Sequence, residues 1–215
     1  MRRTALGAIL AALPVLAADS DISHLLKGIE NRYNHAQTLR VGFSESYNLP
    51  GRASRTESGE LVLRKPGKMR WQYNDPAGKL FVSDGKLIYS YSPDTNRAEK
   101  SKLKETEDMR VPLAFLLGKL DFKKDFRQFD AKPEGKDTFI TALPKSNNFP
   151  YQQVAFLVTP DFEIRRLIVT GQDHSVLEFS FTGEKMNPPV NDKLFQFVPP
   201  PGAEYVDQTA QEAQE

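Results

Sequence analysis

The chain has 215 residues, 39% of them hydrophobic, with 29 basic against 28 acidic side chains and no cysteine. That near-neutral balance argues against a polyanion partner, nucleic acid included. The missing cysteine removes disulfides, thiolate nucleophiles, cysteine metal sites and lipid attachment at a processed N-terminal cysteine.

The chain opens on a basic Met1-Arg2-Arg3, followed by an apolar run from Ala5 to Leu16 and the small pair Ala17-Ala18 before Asp19. This is the pattern of a cleaved secretory signal over residues 1–18. A membrane anchor needs roughly 18 or more apolar residues, and this run is shorter. About 197 residues remain, enough to bury an ordinary core without staples. Without Arg2 and Arg3 the count is 27 basic against 28 acidic residues. The spacing predicts one soluble domain over 19–206, outside the cytoplasm.

Residues 19–37 carry the strongest helical signal. Ser20 or Asp21 can cap it, and Ile22, Leu25, Leu26, Ile29 and Tyr33 share one face. The period then changes to two. Strands are predicted at 39–47, 58–64, 68–74, 79–83, 87–92 and 97–102, separated by Pro-, Gly- and Asn-rich turns. The piece "VPLAFLLGKL", residues 111–120, interrupts them; Pro112 suits a first helical turn and Gly118 a stop, so a short helix is predicted. Strands resume at 126–131, 137–143, 153–159, 164–170, 176–182 and 195–198. The tail 207–215 is polar and is expected to be disordered. About a dozen strands without alternating helices point to a large curved antiparallel sheet or barrel rather than a parallel α/β fold.

Reactive groups do not converge along the chain. His24 and His35 fall on different turns of the first helix, and His174 lies in a polar turn. Asp84 sits in an Asp-Gly hairpin turn. Glu105, Glu107 and Asp108 form a charged stretch with no apolar framing to shift a pKa. No nucleophile elbow, phosphate loop or zinc signature is present, so neither catalysis nor a metal or other cofactor is expected. More telling are fourteen Phe and seven Tyr beside a single Trp. Such an excess serves either as plain core or as a ligand surface. One long and one short helix offer little cover for a dozen strands, which favours a cavity under a helical lid.

The run "GELVLRKPGKMRWQYNDP", then "LFVSDGKLIYSYSPDTNRAEK", then "VPLAFLLGKL", and the closing "DKLFQFVPPPGAEYV" together resemble the LolA family of periplasmic lipoprotein carriers. The motifs span nearly all of the mature chain, and their order is more specific than any one of them. The resemblance implies an unclosed antiparallel β-barrel of about 11–12 strands, covered by the N-terminal helix and the short inserted helix. It implies a non-enzymatic monomer of the periplasm that takes triacylated lipoproteins from an ATP-driven inner-membrane release complex and passes them to an outer-membrane lipoprotein receptor.

By position within that resemblance, Ile29 and Tyr33 of the first helix and Leu113, Leu116 and Leu117 of the short one form the lid. Met69, Trp71 and Tyr73 share the strand face expected to turn inward. In the family an Arg immediately before the turn proline hydrogen-bonds backbone groups of the lid and holds the empty cavity shut. Lys65 stands there in this chain, a weaker latch because it lacks the planar fork. Arg64 is expected to point to the opposite face. A half-barrel that senses lipid or envelope stress without shuttling, and a secreted hydrolase, are the alternatives.

Overall fold

The computed structural model describes residues 16–51, 54–103, 120–146 and 149–210. Helix α1 (Leu16–His35) leads into β1 (Thr38–Asn48), β2 (Arg55–Arg64), β3 (Lys68–Asp75), β4 (Leu80–Asp84), β5 (Leu87–Ser92) and β6 (Arg97–Lys102). A single turn of helix, α2 (Phe122–Asp125), precedes β7 (Phe126–Glu134), β8 (Asp137–Pro144), β9 (Tyr151–Val158), β10 (Ile164–Gly171) and β11 (Val176–Met186). A 3-10 turn (Asp192–Phe195) and β12 (Glu204–Asp207) follow.

The strands form one open 12-stranded sheet in the order β12-β6-β5-β4-β3-β2-β1-β11-β10-β9-β8-β7. It curls strongly. Trp71 on β3 and Phe179 on β11 are separated by β2 and β1, about 14 Å across a flat sheet at about 4.8 Å per strand. Their ring centroids nevertheless lie 5.3 Å apart. Register brings Val41, Leu61, Trp71 and Phe81 side by side on the inner face, and β11 to β8 continue it with Phe179, Leu167, Phe156 and Ile140. Leu26, Ile29 and Tyr33 of α1 are buried in the same apolar cluster.

Helix α1 starts at Leu16 instead of Asp19, so Ser20 and Asp21 lie within it rather than capping it. Ala17 and Ala18 are strong helix formers and carry it back. Its last turn holds Arg32 and His35, which suit the negative end of the helix dipole. Apart from Leu120, the predicted short helix at 111–120 lies outside the described residues, as does most of the predicted signal.

The back of the sheet also carries a core. Val62 and Val82 are buried there, both beside Arg70 in the register. Residues 187–198 cross this outer face as a strap. Thr38 Oγ1 donates to the Pro188 carbonyl at 2.7 Å, Arg64 Nη1 to the Val190 carbonyl at 3.3 Å, and Arg70 Nη1 to the Leu194 carbonyl at 3.2 Å. Phe195 is buried, and Phe197 stacks on Tyr89 at 5.4 Å. Leu61-Val62-Leu63 is therefore apolar without a break because β2 is covered on both faces. The strand predicted at 195–198 is absent: Phe195 closes the 3-10 turn, and its alternation with Phe197 comes from lying flat across strands. The strap delivers the chain to the far edge, where β12 pairs with β6 in parallel, the one departure from the expected antiparallel order. Asp207 ends that strand and accepts from Lys100 Nζ at 2.7 Å, and Gln208–Ala210 form a 3-10 turn, so the polar tail expected from 207 is ordered at its start.

Candidate functional site

Five of the residues assigned to the cavity, Ile29, Tyr33, Met69, Trp71 and Tyr73, meet in the buried cluster between α1 and the inner face, none more than 1% exposed. Leu113, Leu116 and Leu117 lie outside the described residues. Leu26, Ile29 and Tyr33 of the helix share that apolar cluster with the inner-face side chains of the sheet. A cleft of about 470 Å³ opens along one side of the helix, between Ser23, Leu26, Glu30 and Asn34 and residues 120–123.

Besides its apolar face, helix α1 is held by polar contacts of its C-terminal half. Lys65 Nζ donates to the Asn34 carbonyl, and the Lys65 backbone N–H donates to the Gln37 carbonyl at 2.9 Å. Burial pulls the Lys65 ammonium below the ordinary lysine pKa. Arg64, next to it, points the other way, with Nη1 2.9 Å from Asp192 Oδ1 beneath the strap. On β11, Glu184 accepts from Arg32 Nη2 at 2.6 Å and from Tyr33 Oη at 2.8 Å. The Tyr33 hydroxyl also accepts the Ile164 backbone N–H at 2.9 Å. Burial first, then the Glu184 charge, pushes its pKa far up, so it stays a donor at any physiological pH. Asn34 makes a two-way contact with Leu120: its Nδ2 donates to the carbonyl at 2.8 Å and its Oδ1 accepts the N–H at 2.6 Å.

Two further groups on the inner face escaped the sequence reading. Glu45 and Glu57 stand opposite each other in the β1–β2 register and are both buried. Glu45 Oε1 accepts from Tyr73 Oη at 3.0 Å. Glu57 is held by Lys79 Nζ and by Arg55 Nε at 2.9 Å, and the Lys79 ammonium lies 4.4 Å from the Tyr73 ring centroid. Paired in this way, the carboxyls are tolerable inside the fold. Their parity along β1 and β2 matches that of Val41 and Leu61, a period-two signal that could have flagged them. Glu184 had no such signal, since its link to Tyr33 joins distant parts of the chain.

The histidines stay apart. His35 Nδ1 lies 2.7 Å from the Asn31 carbonyl on its own helix, and His174 Nδ1 lies 3.1 Å from Gln152 Nε2 in a surface turn. His24 is edge-on to Phe162 at 5.9 Å. Among the described residues no three His, Asp or Glu side chains are grouped to hold a metal.

A curled open sheet with an apolar inner face and a helix laid across it are the features that known proteins can be compared on. The chain is 25% identical over 182 residues to an outer-membrane lipoprotein carrier protein of Nitrosomonas europaea, covering 84% of this chain and 88% of that one. It is 29% identical over 202 residues to the carrier of Sodalis glossinidius, covering 94% and 93%. Among solved structures, an uncharacterized conserved protein from Thermus thermophilus superposes with a TM-score of 0.50 at 13% identity, over 87% of this chain and 99% of that one, a likeness of fold. Residues 34–198 match the family model described as outer membrane lipoprotein carrier protein LolA, and the chain belongs to the LolA family.

Proposed function

We propose that this protein shuttles triacylated lipoproteins through the periplasm, receiving them from an ATP-driven inner-membrane release complex and passing them to an outer-membrane lipoprotein receptor. Its role is binding and transfer, without catalysis, as a monomer. The observation that carries the reading is the continuous apolar inner face beneath α1, in a chain of this family.

Free energy explains why such a carrier is needed. Exposing an acyl chain of about fifteen methylenes to water costs roughly 12 kcal/mol at about 0.8 kcal/mol each, and three chains approach about 36 kcal/mol. A lipoprotein released unaided into water would wait too long to be useful. A wall of Phe, Leu and Met gives contact without fixed geometry, and Met69 adapts to flexible chains. Loading lifts α1, so Ile29 and Tyr33 exchange contact with the sheet for contact with lipid, in company with Leu113, Leu116 and Leu117. Lys65 acts as the latch, releasing the Asn34 carbonyl when the helix rises.

Spheroplasts carrying radiolabelled lipoproteins test this. Added carrier brings label into the soluble fraction in a complex with itself, and a receptor then takes it over. If label stays on the membrane although the protein binds lipid, a sensing module of the same fold replaces the shuttle.

A further inference from the structure

Trp71 is the only tryptophan in the chain and is fully buried at the centre of the inner face. Its indole N–H has no hydrogen-bond partner among the described residues. The surroundings explain that. Phe43 meets it edge-on at 4.7 Å, Phe179 is tilted at 5.3 Å, and its cross-strand neighbours are Leu61 and Phe81. None of these side chains offers an oxygen or nitrogen acceptor. Phe or Leu would fill this place without burying a donor, so an unpaired N–H is a cost that calls for a reason.

We propose that Trp71 Nε1–H is a polar contact point of the cavity, donating to a neutral carbonyl, ester or amide, at the head of a bound acyl chain. This rests on the carrier reading and adds to it the chemical group that is read. Neutrality follows from the hydrocarbon around Trp71 and from the nearby carboxyls being already partnered within the fold. Phe43 packs edge-on against both Trp71 and Tyr73, and the Tyr73 hydroxyl donates to Glu45 at 3.0 Å. Glu57 lies opposite Glu45, with its charge taken up by Lys79 and Arg55. A free fatty-acid carboxylate would have to shed its water among Phe43, Phe179, Leu61 and Phe81, which offer it no cation, whereas an ester or amide carbonyl carries no charge to desolvate. The acceptor therefore sits at the Trp71 end of the chain, and the hydrocarbon runs along the apolar wall.

A single tryptophan gives a single indole resonance in the proton–nitrogen correlation spectrum of isotope-labelled protein. Titration with dioleoylglycerol is expected to move that resonance downfield, and the dialkyl ether of the same chains, which lacks carbonyls, is expected to bind without doing so. Trp71→Phe is expected to lower affinity for dioleoylglycerol about five- to tenfold, by displacement of a fluorescent lipid, and to cost the ether, which loses only ring contact, clearly less. Oleate is expected to bind less well than the glyceride. A synthetic triacylated lipopeptide run alongside identifies the source: tighter binding places the carbonyl on a lipoprotein, equal binding on any neutral glyceride, and a downfield shift supports the contact in both cases. An indole resonance unmoved by bound dioleoylglycerol, or equal losses for ester and ether in the variant, overturns the assignment. Should Trp71→Phe not fold, the wild-type spectrum decides alone. Failure of the wild type to bind either lipid removes the carrier reading itself, and is recognisably a different result.

Discussion

Tyr33 on α1 and Glu184 on β11 meet side chain to side chain, the hydroxyl donating to Oε2 at 2.8 Å while accepting the Ile164 N–H at 2.9 Å. One oxygen thus ties the helix to neighbouring strands. Tyr33→Phe keeps the ring in the apolar cluster and deletes only that oxygen. The Ile164 N–H is then buried without a partner, and the expected loss is about 1–3 kcal/mol, read from the midpoint of urea unfolding followed by circular dichroism. No change in midpoint would mean that the helix is held elsewhere.

Lys65→Leu removes the donor to the Asn34 carbonyl while the backbone contact to Gln37 stays. The fold is expected to survive with a loss of about 1 kcal/mol, since the ammonium is partly exposed and already weakened by burial. Lipid uptake is expected to accelerate and transfer to a receptor to fall. Lys65→Arg restores a donor with a better fork and is expected to slow uptake. Equal transfer by all three proteins at equal levels would remove the latch.

Gly59 lies where β2 and β3 shift register, and a Cβ there would meet the Gln72 carbonyl oxygen at 2.1 Å. Gly59→Ala must displace backbone in the middle of the sheet, and a loss above about 2 kcal/mol or failure to accumulate is expected. Gly28 on α1 is a milder case. A Cβ there would meet the Phe162 ring at 2.3 Å, and a side chain can swing away where a ladder cannot. Gly28→Ala is expected to be folded, with faster hydrogen exchange in the turn around Phe162.

The strap responds to acid through Asp192. Its hydrogen bond from Lys68, and then the charges of Arg64 and Lys68, hold the carboxyl below the usual aspartate range. A depressed folded pKa means that the contact stabilises above the unfolded value of about 3.9 and is lost as pH falls through the folded one. Proteolysis within residues 187–198 by an acid-active protease is expected to quicken over that interval. Asp192→Asn is expected to flatten the dependence. A parallel acid response in both proteins would assign the effect to another carboxylate.

Most of the strands could be read from the sequence because alternation along β1, β3 and β11 records a sheet dry on its inner face. That reading faltered where a second cover intervened. Val62 between Leu61 and Leu63 breaks the alternation because the strap lies behind it, and Phe195 with Phe197 imitates a strand for the same reason. The direction of β12 depends on the route of that crossover, which no local pattern encodes. In the candidate site, Met69, Trp71 and Tyr73 follow from parity, whereas Lys65 follows only from the family resemblance, as the residue standing where the family has Arg before the turn proline. Glu45 has the right parity, but a carboxylate in a strand is ordinarily a solvent-facing residue, so parity alone does not mark it. Glu184 meets Tyr33 only through the three-dimensional path of the chain.

The strap has a consequence for the order in which the molecule is made. Arg64 finds the Val190 carbonyl 126 positions later, and Val62 and Val82 stay wet until that segment arrives. A nascent chain stopped short of Pro188 therefore lacks the back wall of its first sheet half. Consolidation of that half waits on the last stretch of the chain, which closes over a face that is otherwise complete.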